Sequence, residues 1–65
     1  MIEVRIICDD EEYVIGEFAP AEILSFHKAL KASEILDEEG RIWQVKKLYF
    51  NLPFPYFFIS TDQID

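Results

Sequence analysis

The chain has 65 residues, of which 51% are apolar and 15% aromatic, and its formal net charge at pH 7 is −7. This length excludes a second domain and the apolar content excludes a disordered segment, so we expect one folded domain over residues 1–65. So small a core cannot bury every aromatic ring, and the remainder predicts apolar surface for association.

The sequence carries no signal for membrane insertion, export or disulfide formation. Its apolar runs are interrupted well before the roughly 20 residues that span a bilayer. The stretch MIEVRIICDDEE lacks the basic and apolar blocks of a secretory signal peptide. Cys8 is the single cysteine and makes no internal disulfide. We therefore expect a cytoplasmic protein.

The first two predicted strands form a hairpin. Residues 2–8 alternate with period two, which predicts a half-buried strand. The acidic run DDEE, residues 9–12, reads as a four-residue connection to a second strand, YVIGEF, at 13–18. Gly16 in that strand indicates either a close approach by another element or a β-bulge. The apolar face of the first strand comprises Ile2, Val4, Ile6 and Cys8.

A helix is predicted over residues 20–32. Pro20 suits the first helical position, where its missing N–H is not needed, and Glu22 complements the helix dipole. One stripe of this helix, made up of Ile23, Phe26, His27 and Leu30, is apolar apart from the histidine. That side of the helix should cover a sheet.

A long strand with a change of phase follows. The segment EIL, 34–36, is interpreted as a short strand, and DEEG supplies a turn before RIWQVKKLYFNL, residues 41–52. The apolar alternation changes phase at Lys46 and Lys47. A β-bulge at these lysines would place Trp43, Val45, Leu48 and Phe50 together on the core side. Without a bulge, the strand would be apolar on both faces and would need a partner.

The last strand, YFFIST at 56–61, places rings on both of its faces. We predict an α+β fold in which one helix covers an antiparallel sheet of about four strands, in the order β-β-α-β-β. The alternative is a small curled β-barrel with one inserted helix. Since the helix covers one face only, the rings on the other face predict a homodimer or a complex with another protein.

Catalysis is not predicted. His27 is the only histidine, and no cysteine or carboxylate lies three or four residues from it on the helix, so we expect a hydrogen-bonded structural residue. Cys8 completes an apolar strand face, which favours a core thiol over a nucleophile activated by His27. No cofactor and no small-molecule substrate is implied.

The charged clusters are interpreted as solvated surface. Residues 9–12 and 37–39 would bind Ca²⁺ or Mg²⁺ only if folding joined them, and neither has the ligand spacing of a calcium loop. Lys46 and Lys47 lie beside aromatic rings, as in sheets that stack single-stranded bases. However, the glycines of that consensus are missing, and the net charge opposes direct binding of nucleic acid.

The segment between the last two strands holds one ring between two prolines. Phe54 at such a tip would be an exposed, rigid anchor for a partner's pocket. The alternative is that Phe54 folds back over an end of the core. The Phe54–Pro55 peptide bond is compatible with either isomer.

These features favour a small acidic protein-interaction module, an adaptor, regulator or phage-type inhibitor that acts through exposed aromatic surface. Its partner would be another protein or a second copy. The alternative is a nucleic-acid mimic that blocks a basic DNA- or RNA-binding protein through its carboxylates. The predicted anchors are Trp43, Tyr49, Phe54 and Tyr56, and the predicted electrostatic steering residues are Asp9, Asp10, Glu11 and Glu12.

Overall fold

A computed structural model describes residues 1–64. Six elements follow one another along the chain: β1 Ile2–Cys8, β2 Glu11–Phe18, α1 Pro20–Lys31, β3 Glu34–Leu36, β4 Ile42–Asn51 and β5 Tyr56–Gln63. The predicted helix and the short strand at 34–36 are confirmed, and the helix ends one residue earlier than expected.

The five strands form one curled mixed sheet in the order β2-β1-β5-β4-β3. The predicted combination of a sheet with one helix is confirmed. The sheet has five strands where about four were expected, and it is mixed where an antiparallel sheet was expected, because β1 and β5 pair in parallel. The other neighbouring strands are antiparallel. The last strand returns to the centre of the sheet beside the first, where its Ile59 is completely buried. The curling of the sheet fits the alternative prediction, although the sheet is a half-barrel.

The β1–β2 connection is shorter than predicted. Only Asp9 and Asp10 lie between the strands, whereas Glu11 and Glu12 belong to β2 and pair with Cys8 and Ile7. Asp9 has a φ of 61°, a left-handed conformation that short polar residues tolerate and that closes a tight turn.

The start of α1 follows the local sequence. Pro20 occupies the first turn, and the Glu22 carboxylate accepts a hydrogen bond from the Ala19 N–H at 2.9 Å. This bond satisfies an amide at the end of the helix that has no partner within it. Ile23 is buried against the sheet, so α1 covers one sheet face as predicted.

Two irregularities bend the sheet. In the first, Val4 of β1 pairs with Gly16 of β2 and the next residue, Arg5, pairs with Val14, so no residue of β1 lies opposite Ile15. This register shift confirms the β-bulge, one of the two predicted explanations of Gly16. The φ of Gly16 is 138°, a conformation that residues with a side chain disfavour.

The second irregularity confirms the phase change in β4. Val45 pairs with Thr61 and Leu48 with Ile59, so both intervening lysines lie opposite Ser60. The Ser60 hydroxyl accepts a hydrogen bond from the Lys47 N–H at 3.2 Å. Leu48 therefore packs against the core together with Trp43 and Val45. Phe50, which was also predicted on the core side, is 46% exposed.

A single hydrophobic core lies between α1 and the sheet. Its buried members are Val4, Ile6, Cys8, Ile23, Trp43, Val45 and Ile59. Among residues 1–64, no helix combines the length and the apolar character needed to cross a membrane.

Candidate partner-binding surfaces

The connection between β4 and β5, residues 52–55, forms the hairpin tip. Leu52 is 80% exposed and Phe54 is 74% exposed. The Asn51 side-chain amide donates a hydrogen bond to the Phe54 carbonyl at 3.1 Å, and the Phe54–Pro55 peptide bond is trans. Of the two predicted positions for Phe54, the structure therefore has the exposed one.

The sheet face away from α1, called the open face, carries a row of stacked side chains. The Tyr49 and Phe58 rings stack with centroids 4.8 Å apart, and the Arg5 guanidinium lies 4.1 Å from the centre of the Tyr56 ring. Tyr49 is 44% exposed and Tyr56 is half-buried, so both predicted anchors lie at the surface of one face. Their stacking holds the rings in place without a partner.

Arg5 is held by two carboxylates. Its Nη1 donates to Glu12 Oε1 at 2.8 Å and its Nε to Glu3 Oε2 at 2.5 Å. The hydrogen bond to Glu12, followed by that to Glu3, raises the pKa of Arg5, which therefore stays cationic. Sequence reasoning missed Arg5 and its stacking on Tyr56. The alternation assigned each residue to a face, but the contact requires β1 beside β5.

Trp43 lies elsewhere. It is 2% exposed, and its indole Nε1–H donates to Asp37 Oδ2 at 3.0 Å. The expectation that Trp43 anchors a partner is therefore corrected, since its ring fills the core and offers no surface. The physical reason is that Trp43 lies on the core side of β4, opposite Ile35 of β3, which also packs against the core.

Asp37 organises the turn before β4. Its Oδ2 also accepts a hydrogen bond from Arg41 Nε at 2.7 Å, and its Oδ1 accepts the N–H groups of Glu39 and Arg41 at 2.9 Å each. Desolvation acts to raise the pKa of Asp37. The hydrogen bonds from Trp43, from the two backbone amides and from the Arg41 side chain outweigh it and lower that pKa to about 2.

The acidic residues predicted to steer a partner are divided by the structure. Asp9 and Asp10 are exposed in the turn. Glu11 accepts a hydrogen bond from the Tyr13 hydroxyl, which raises the pKa of Tyr13 to about 12, and lies 3.7 Å from Arg41 Nη2. Because Glu12 is bound to Arg5, only part of this cluster is free for long-range attraction.

The acidic turns and the hairpin tip lie at opposite ends of the sheet. Glu3 pairs with Tyr56 next to the tip, whereas Ile7 pairs with Ser60 toward the turns. Residues 56 to 61 of β5 separate the two ends by about 17 Å, at about 3.3 Å per residue. One small contact surface cannot include both ends.

The two residues considered for catalysis are Cys8 and His27, which lie on different elements, β1 and α1. Cys8 is 4% exposed in the core, as expected. His27 is half-buried, but its Nε2 is inaccessible and has no hydrogen-bond partner among residues 1–64, contrary to the expected hydrogen bond. Burial, followed by the charge of Lys31, lowers the pKa of His27 and favours the neutral ring. Within the described part of the chain, no three His, Cys, Asp or Glu side chains converge as a metal site.

The basic residues of β4 lie at the bulge. Lys46 Nζ pairs with Asp62 Oδ2 at 2.8 Å on the open face, which raises the pKa of Lys46. This ion pair is exposed, so solvent screens most of its energy.

Comparison with known proteins leaves the family open: no family model, curated protein or solved structure matches this chain at a significant level.

Proposed function

We propose that this protein is a small, non-catalytic interaction module of the cytoplasm that binds another protein, or a second copy of itself, through the hairpin tip. The observation that supports this proposal is the exposure of Leu52 and Phe54 on a connection stiffened by two prolines. Such residues lose little conformational entropy on binding and gain apolar burial in a partner's pocket.

The neighbouring open face extends this surface. Asn51 joins the tip to β4, and Tyr49 lies two residues before it with its ring stacked on Phe58. The stacked rings form a preorganised area beside the exposed side chains of the tip, which would lower the entropy cost of binding. A single reduced cysteine buried in the core suits a reducing compartment.

The nucleic-acid mimic has less support. Glu3 and Glu12 are engaged by Arg5, and Glu11 by Tyr13 and Arg41. Carboxylates held in internal pairs contribute less to an outward-facing imitation of a phosphate backbone. The two functions also differ in their response to salt, because contacts between charges are screened and apolar contacts are not.

Site-specific photocrosslinking tests the proposal. A benzophenone amino acid at position 54 should give one saturable protein adduct in the native cell extract, whereas the same group at Leu24, an exposed residue of α1, should not. Excess unlabelled wild-type protein should remove the adduct. Excess Leu24→Ala should compete as well as wild type, and excess Phe54→Ala should compete poorly.

Salt separates the two functions in the same assay. The position-54 adduct should persist at about 1 M salt, where the screening length falls to about 3 Å. An adduct that disappears with salt would support the mimic. Equal competition by Phe54→Ala and Leu24→Ala would overturn the proposal, and sedimentation of the purified protein would identify a second copy as the partner.

A further inference from the structure

A cleft opens at the end of the molecule opposite the hairpin tip. Its volume is about 270 Å³, and it lies between β2 on one side and β3 on the other, with β1 at its base. The sheet curls, so these two edge strands line one cleft although they are at opposite ends of the strand order. The lining side chains are mainly apolar: Ile6, Cys8, Tyr13, Ile15, Ile35 and Leu36.

The mouth of the cleft is acidic. Asp37 and Glu38 line it directly, and the contact of Glu11 with Arg41 brings the β1–β2 turn alongside the β3–β4 turn. Arg41 is the cation in this group, and it is already paired with Asp37 at 2.7 Å. The carboxylates at this end of the molecule are Asp9, Asp10, Glu11, Asp37, Glu38 and Glu39. The mouth therefore has a net negative charge.

The exposed apolar surface continues beyond the cleft. Leu36 is 70% exposed at its rim, although it belongs to a strand and its neighbour Ile35 packs on the core. The Tyr13 hydroxyl is engaged by Glu11, which leaves the ring of Tyr13 as an apolar wall. A ligand that fits must supply an apolar group for the interior and positive charge for the mouth.

We infer that this cleft binds a basic peptide segment of a partner protein, with one large apolar side chain inserted between β2 and β3 and flanking lysine or arginine residues at the acidic mouth. The charge is spread over two turns, so several cations along a peptide match it better than the single amine of a small molecule would. This site is separate from the hairpin tip and goes beyond the proposed function.

The apolar side chain and the cations of the peptide would contribute to binding in different ways. The apolar side chain would bury surface against Ile15, Ile35 and Leu36, which gives affinity. The cations would speed the encounter and exclude acidic segments, an effect that weakens with salt. Asp37, at the mouth, stays ionised at neutral pH, because its hydrogen bonds lower its pKa to about 2.

Three blocked five-residue peptides test the inference. The probe has a central leucine between two pairs of lysines; one control replaces the leucine with glycine, and the other replaces the lysines with glutamates. Titration followed by amide NMR should shift the signals of Cys8, Tyr13 and Leu36 with the probe. Replacing the central leucine with glycine should weaken binding about tenfold, because burying most of one leucine side chain contributes about that much to the affinity. The glutamate peptide should not bind.

Matched protein variants locate the site. Glu38→Lys should weaken binding of the probe about fivefold or more. Glu17→Lys makes the same change in net charge at the other end of β2, beside Glu3, and should change the affinity less than twofold. Leu36→Ala should weaken binding, and Leu52→Ala in the hairpin tip should not.

Three results would overturn the inference. The leucine and glycine peptides binding equally would indicate attraction by charge alone. If Glu17→Lys weakened binding of the probe as much as Glu38→Lys, attraction by charge alone would again be indicated. Chemical-shift changes centred on residues 52–55 would place the peptide at the hairpin tip, and the crosslinking at position 54 would still test the proposed function independently.

Discussion

Substitutions at Phe54 and Ile59 test whether Phe54 serves binding and Ile59 stabilises the fold. Ile59 is 0% exposed and lies on β5 between β1 and β4. Ile59→Val removes one buried methyl group, which should lower the free energy of unfolding by about 1 kcal/mol. For a domain of this size that corresponds to a fall in melting temperature of about 4–8 °C. Phe54→Ala removes a ring that is 74% exposed and should change the free energy of unfolding by less than about 0.5 kcal/mol.

Urea denaturation followed by circular dichroism and by the fluorescence of the buried Trp43 measures both variants. The dependence of the unfolding free energy on urea should be the same in both, because neither substitution changes the surface exposed on unfolding by much. Ile59→Ala should be more severe, at about 2–5 kcal/mol, which is comparable to the whole stability expected of so small a core. The reasoning would be refuted if Phe54→Ala destabilised the protein as much as Ile59→Val, since the tip would then belong to the core.

Three further outcomes are expected. The pKa of Asp37 is lowered from 3.8 to about 2, so the ionised carboxylate stabilises the fold fully above about pH 4, and this stabilisation is lost as the pH falls toward 2. Asp37→Asn should reduce the stability at pH 7 and flatten this acid dependence in melting curves. An acid dependence identical to wild type would contradict this role. Cys8 should react with iodoacetamide only slowly in the native protein and rapidly in urea, as mass spectrometry would report; rapid native modification would place the thiol outside the core. Glu22→Ala removes the acceptor of the Ala19 N–H and should lower the free energy of unfolding by about 0.5–1 kcal/mol, whereas no loss in thermal denaturation would mean that water replaces this cap.

Local patterns predicted local structure well. Pro20 marked the start of α1, and the change of phase at Lys46 and Lys47 predicted the β4 bulge opposite Ser60. Both are features that neighbouring residues determine, because the periodicity of apolar side chains must match the geometry of the element that carries them.

The candidate sites were predicted less completely. Phe54 was expected at an exposed tip as one of two alternatives, and the structure has it there. Trp43 was predicted both as a core residue and as an anchor for a partner, two roles that are incompatible. Because its ring is buried, only the core role agrees with the structure. The cleft between β2 and β3 left no local signal in the sequence, because its walls come from strands about twenty residues apart.

The sequence by itself determined the positions of the strands and the helix to within about two residues, the apolar faces of β1 and α1, and the place where β4 changes phase. Only the tertiary structure decided that β5 lies in parallel beside β1, that Arg5 therefore stacks on Tyr56, and that the acidic turns and the hairpin tip occupy opposite ends. The reason is that alternation fixes the two faces of a strand but not its neighbours. Neighbours are selected by the closure of the whole core, in which Ile59 is best buried between two other strands.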